Sequence, residues 1–160
     1  MRIVSGGQTG VDRAALDVAI ALGLPYGGWC PRGGLAEDLP TPPGLLATYA
    51  DLTETPNDDP KQRTVWNVRD SDAVLVLTRD GVTSPGTALT VLTAQRLGRS
   101  LNVQTLVDDS DDAADQITSW LRLLDPDVTL DVAGPRESQA PGIQRIARDL
   151  LTIVLTPYAG

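Results

Sequence analysis

A short apolar segment, Met1 to Ser5, runs straight into Gly6-Gly7-Gln8-Thr9-Gly10, and the chain then takes up helical spacing. Val11, Ala14, Ala15, Leu16, Val18, Ala19, Ala21 and Leu22 recur along a helix, Asp12 stands in its first turn and Gly23 stops it. A strand that passes through a tight loop into a helix is set up to return as a parallel strand. The unit recurs. Leu24 to Trp29 reads as a second strand, and Pro31 to Gly34 with the Pro-rich Leu39 to Leu45 as a long loop. Lys61 to Ser71 is helical with Val65 and Val68 on one side, and Asp72 to Thr78 is an apolar run suited to a strand buried on both faces. A loop ending Ser84-Pro85-Gly86-Thr87 opens a helix to Leu97, closed by Gly98. Ser100 to Leu106 gives another strand, and the acidic loop Asp108 to Asp112 leads a helix to Leu124. Val128 to Val132 is a last strand, and Gly142 to Leu155 a closing helix. This alternation predicts an α/β fold, a Rossmann-like doubly wound and mainly parallel sheet of about five or more strands with helices on both faces.

Nothing in the chain divides it, so residues 1–160 are expected to form a single ligand-binding domain around one core. Hydrophobic residues at 41% against 21% charged support a packed interior. With no Phe at all, that interior must come from Leu, Val, Ile and Ala. A net charge of -8, with no Lys/Arg-rich run, argues against a nucleic-acid partner. An anionic small molecule stays open, because local donors decide once the global field is screened beyond about 8 Å. The apolar stretch Ala14 to Leu24 is too short to span a membrane and is broken by Asp17, and no leader sequence is recognisable. The expected location is cytoplasmic, with no membrane partner. Cys30 is the one cysteine and the chain has no histidine, so neither a Cys-His dyad nor a usual zinc set is assembled. Cys30 reads as structural, and no catalytic residue or metal ligand is assigned.

In an open parallel sheet, ligands sit beyond the carboxyl ends of the strands. Three loops lie there. Gly6, Gly7, Gln8, Thr9 and Gly10 combine glycines that let backbone approach a ligand with N–H groups at a helix start, an arrangement suited to an anion. The same glycines equally serve a tight turn. Ser84, Gly86 and Thr87 repeat the placement, and also read as a plain helix cap. Arg136, Glu137 and Ser138 offer a guanidinium, a carboxylate and a hydroxyl before a helix, or simply a surface turn. Arg32, beside Gly33, is either a further cation or a solvated loop arginine.

SGGQTGVDRAAL (5–16), GWCPRG (28–33), Ala36-Glu37-Asp38, WNVRDSD (66–72), GTALT (86–90) and VAGPRES (132–138) together resemble the molybdenum carrier proteins. That family is related to molybdenum cofactor carriers and to a wider Rossmann-like nucleotide-binding superfamily that includes the lysine-decarboxylase-like cytokinin-activating hydrolases. The resemblance implies a carrier that binds molybdenum cofactor, extending to molybdate or another oxyanion, and works as a homo-oligomer, dimer or tetramer, that hands its cargo to molybdoenzymes. It assigns cofactor binding to Gly6, Gly7, Gln8, Thr9, Gly10, Arg32, Gly33, Ser84, Gly86, Thr87, Arg136, Glu137 and Ser138. The nucleotide-cleaving relatives carry Pro-Gly-Gly-x-Gly-Thr-x-x-Glu, and here Thr90 stands at the position of that glutamate. A nucleoside-monophosphate phosphoribohydrolase is therefore the second expectation, and a nucleotide-sensing module the third.

Overall fold

The computed structural model describes residues 1–107 and 111–160. Six strands, β1 (Arg2–Val4), β2 (Tyr26–Cys30), β3 (Leu52–Glu54), β4 (Ala73–Thr78), β5 (Ser100–Thr105) and β6 (Thr129–Ala133), form one sheet in the order β3-β2-β1-β6-β4-β5. Every pairing is parallel. Five helices connect and close it: α1 (Val11–Ala21), α2 (Pro60–Arg69), α3 (Pro85–Arg96), α4 (Asp111–Leu121) and α5 (Ile143–Leu155). The alternation of strands and helices predicted this architecture. The long loop after β2 also holds a 3-10 turn, Gly44–Ala47, and leads into the short β3 that periodicity had not marked. Of the acidic segment expected at Asp108 to Asp112, residues 108–110 lie outside the described residues.

β4 shows why its sequence is apolar throughout. Leu75 and Leu77 join the larger core with Ala15 and Val18 of α1, Ile117 of α4 and Leu151 of α5. Val74 and Val76 point the other way, onto Val68 of α2 and Ala94 of α3. Side chains alternate across a strand, so a strand covered on both faces must be apolar at every position. α1 and α2 thus lie on opposite faces. From β1 to β2 the chain moves toward one edge with its helix on the first face, and from β4 to β5 it moves toward the other edge with its helix on the second. Right-handed crossovers require that pairing of direction and face. The two directions part between β6 and β4, which is where such sheets open a crevice.

α2 also repairs the sheet. At Trp29 the β2 strand has outrun β1, whose last strand residue is Val4. Asn67 fills the gap. Its Oδ1 accepts the Trp29 N–H at 2.7 Å and its Nδ2 donates to the Trp29 carbonyl at 3.0 Å, as a neighbouring strand would. Asn67→Ala leaves both backbone groups without partners, and a loss of about 2 kcal/mol, or a Tm drop of about 4–8 °C, is expected. A thermal melt that moves by less than about 1 °C would contradict that role. Trp66 and Trp29 pack edge to face with 4.7 Å between ring centroids, and the Arg69 guanidinium lies over the Trp66 ring at 4.6 Å. Cys30 is fully buried beside Leu16 and Leu45, and burial pushes its thiol up to about 11, so it stays a thiol. Among the described residues no helix is long and apolar enough to cross a membrane.

Candidate functional site

A cleft of about 630 Å³ opens at the carboxyl edge of the sheet where the winding reverses. One wall is mostly loop: Gln8 after β1, with Gly134, Arg136 and Gln139 after β6, and Asp12 from the first turn of α1. The other is made of two helix starts, Asp59 to Thr64 of α2 and Ser84 to Thr90 of α3. Its volume suits a ligand of cofactor size. Both helices turn the positive ends of their dipoles toward it. Asp59 caps α2 by accepting the Lys61 N–H at 2.9 Å, and Ser84 caps α3 by accepting the Thr87 N–H at 3.4 Å. Gly86 is open, since nothing lies within 4 Å of where a Cβ would stand.

The first glycine loop is built differently from its sequence expectation, because it already holds an anion of the chain's own. The Asp12 carboxylate accepts the backbone N–H groups of Gln8 and Gly134, and the Arg63 Nη1 at 2.7 Å. The Thr9 N–H goes to Gln8 Oε1 and the Gly10 N–H to Gln144 Oε1. Gly6 is small for a reason, since a Cβ there would stand 1.6 Å from Arg63 Nη1. Gly7 lies against Leu45 and Leu52. Beneath this pair, Asp131 of β6 faces the α2 side, 3% exposed. Burial and the nearby Asp12 carboxylate push Asp131 well above the usual carboxylate range, against the pull of Arg63. Burial raises Asp12 as well, with Arg63 opposing it. One guanidinium therefore serves two buried carboxyls, and its Nε has no acceptor among the described residues.

The loop after β6 is tied down from outside the cleft. Glu37 accepts the Thr9 hydroxyl, the Ser138 hydroxyl at 2.6 Å and the Ser138 N–H at 3.3 Å. Partial burial raises the Glu37 carboxyl, but these bonds from Ser138 and Thr9 outweigh it and hold it below its ordinary value. Glu137 turns away to accept the N–H groups of Gly142 and Gln144 at the start of α5. Arg32 and Gly33 stand at a different rim, with backbone bonds to Asn57 and Glu54, and do not line the cleft. Of the residues singled out in the sequence, Gln8, Ser84, Gly86, Thr87 and Arg136 come together in the cleft. Thr9, Gly10, Glu137 and Ser138 are spent on contacts that hold its loops.

Sequence reading had not marked Asp59, Lys61, Arg63 or Gln139, which line the same cleft. Three of these lie at the start of a polar helix, where no local pattern separates a buried guanidinium from a solvated one. Thr90, also lining the cleft, donates its hydroxyl to the Gly86 carbonyl at 3.1 Å and supplies no acid.

Residues 3–155 match a family profile described as the circularly permutated YpsA SLOG family. A crystal structure of a protein from Syntrophus aciditrophicus, named "Putative molybdenum carrier protein", is 41% identical to this chain. That match covers 96% of this chain and 94% of that one, with a TM-score of 0.83. No curated protein matches. The sheet order agrees with a permuted connection: moving β6 and α5 ahead of β1 would make the strands run outward in both directions from the first one.

Proposed function

The chain belongs to the circularly permutated YpsA SLOG family, and from that premise we propose that it is a binding and carrier protein for molybdenum cofactor, held in the cleft at the switch point. The observation that carries this reading is the open start of α3. Gly86 leaves room for an anionic group to reach the Gly86 N–H, the one first-turn N–H of α3 that Ser84 does not take among the described residues, and Lys61 faces the same cleft from α2. The name of the Syntrophus protein supports it, as does the cleft's size. Molybdenum cofactor ends in a phosphate and bears a pterin that needs hydrogen bonds, and this cleft is richer in donors than in acceptors. Molybdate and other oxyanions fit the same donors.

Purified protein mixed with molybdenum cofactor should bind it and slow its oxidative decay. Absence of both effects would remove this reading. Gly86→Glu gives a sharper check. The new carboxylate stands in the first turn of α3, where it favours the helix, and occupies the place of the incoming anion. Cofactor affinity is expected to fall by roughly tenfold or more while the Tm holds or rises. Unchanged affinity would move the anion site elsewhere.

A further inference from the structure

Two carboxamides on the loop wall of the cleft are locked in one orientation. Gln8 is 7% exposed, and its Oε1 accepts the N–H groups of Thr9 at 3.1 Å and Glu37 at 2.9 Å. Turning the amide over would set its NH2 against two backbone donors, so the backbone decides which end is which. The NH2 of Gln8 is left with no acceptor among the described residues, on a side chain that lines the cleft. Gln139 repeats the arrangement: its Oε1 accepts the Arg136 N–H at 3.0 Å, and it lines the same cleft. Arg136 lies on that wall too, and a guanidinium has only donors to offer. The lining carboxylates lie elsewhere or are engaged. Asp12 already has three donors, and Asp59 caps α2.

We propose that Gln8, Gln139 and Arg136 form a second anion subsite, facing the start of α3, which takes a group bearing only hydrogen-bond acceptors: a tetrahedral oxyanion or a metal-oxo group. The proposal rests on the reading of this cleft as the carrier site, and it adds that the cargo has an acceptor-only group at each of two places. A ring edge bearing N–H or NH2 is rejected at this wall, because donor would face donor on both sides. The two carboxamides do this without adding charge, and they cannot swivel to accommodate a donor, because each oxygen is held by backbone.

Inorganic phosphate and, separately, molybdate, titrated near neutral pH by calorimetry, test this in the Gly86→Glu background, where the start of α3 is blocked. One equivalent of at least one of the two should still bind, and the arm that binds identifies the oxyanion. Adding Gln139→Glu should weaken that binding by roughly tenfold or more, because a donor becomes a carboxylate. Gln139 is half-buried on a loop, so this variant stays informative even where Gln8→Glu, at a buried position, fails to fold. A folded Gly86→Glu protein that binds neither anion, or a double variant that binds as tightly as Gly86→Glu alone, overturns the subsite. Cofactor protection separates the two readings. A wild-type protein that binds oxyanion at this wall yet leaves the cofactor unprotected removes the carrier reading and keeps the subsite.

Discussion

Replacing Arg63 with methionine is expected to destabilise the fold by about 3–5 kcal/mol, and by more at about pH 8 than at about pH 5. Methionine keeps most of the aliphatic volume and removes only the cation. The Asp12 carboxylate, 5% exposed, then keeps its two backbone donors but loses the charge opposite it, and a buried ion stripped of its partner is far costlier than the pair is stabilising. The pH dependence follows from the direction of the shifts. Burial, opposed by Arg63, already holds Asp12 above its ordinary value of 3.8 in the folded protein, and Asp131 is held well above it. Folding therefore takes up protons, and stability falls as pH rises from that ordinary value through the raised ones. Without Arg63 both carboxyls rise further, the window widens upward, and more stability is lost at alkaline pH. On acidification both carboxyls are neutral in the folded state and the deficit shrinks. Urea unfolding of both proteins at the two pH values measures this. An equal loss at both would mean that neither carboxyl depends on Arg63 for its charge.

The parts of this molecule that could be read from sequence are those encoded locally. Asp72 to Thr78 announces a strand covered on both faces, Gly23 and Gly98 end their helices within a residue or two of the observed boundaries, and Ser84 with Pro85 marks the start of α3. β3 left no such trace, because three residues at a sheet edge, two of them exposed, need no apolar alternation. The position of β6 between β1 and β4 is a property of the whole topology, which no stretch of sequence records. The glycine loop after β1 is the instructive case. Its residue types match an anion-binding turn, and an anion is bound there, but the anion is Asp12, held by a guanidinium 51 residues further along. Glycines and helix starts can be recognised in a sequence. Which partner satisfies the N–H groups is decided by residues distant in the chain, and so two of the cleft's cations, Lys61 and Arg63, lay unmarked in a helix that otherwise looks solvated, while Arg136 was legible.

Gly10→Ala is expected to cost the fold about 3 kcal/mol or more and to disturb the cleft with it. Two effects coincide at this residue. Its φ of 83° with ψ of -132° is a backbone conformation that L side chains avoid, and this alone accounts for about 1–3 kcal/mol. A Cβ would also stand 2.2 Å from the Pro135 carbonyl oxygen and 2.9 Å from the Glu137 nitrogen, so the loops after β1 and β6 would have to separate. Those loops are joined by the Val11 N–H to the Pro135 carbonyl and by the Glu137 N–H to Thr9 Oγ1, and they carry Gln8 and Gln139 between them. Gly81→Ala supplies the comparison. Gly81 has φ 72° but nothing within 4 Å of its Cβ position, so its alanine variant bears the backbone cost without the collision. Chemical denaturation should place Gly10→Ala well below Gly81→Ala, and oxyanion binding should weaken only in the former. Equal stabilities would mean that the loops part at no cost, and that the wall of the cleft is held by something other than this close approach.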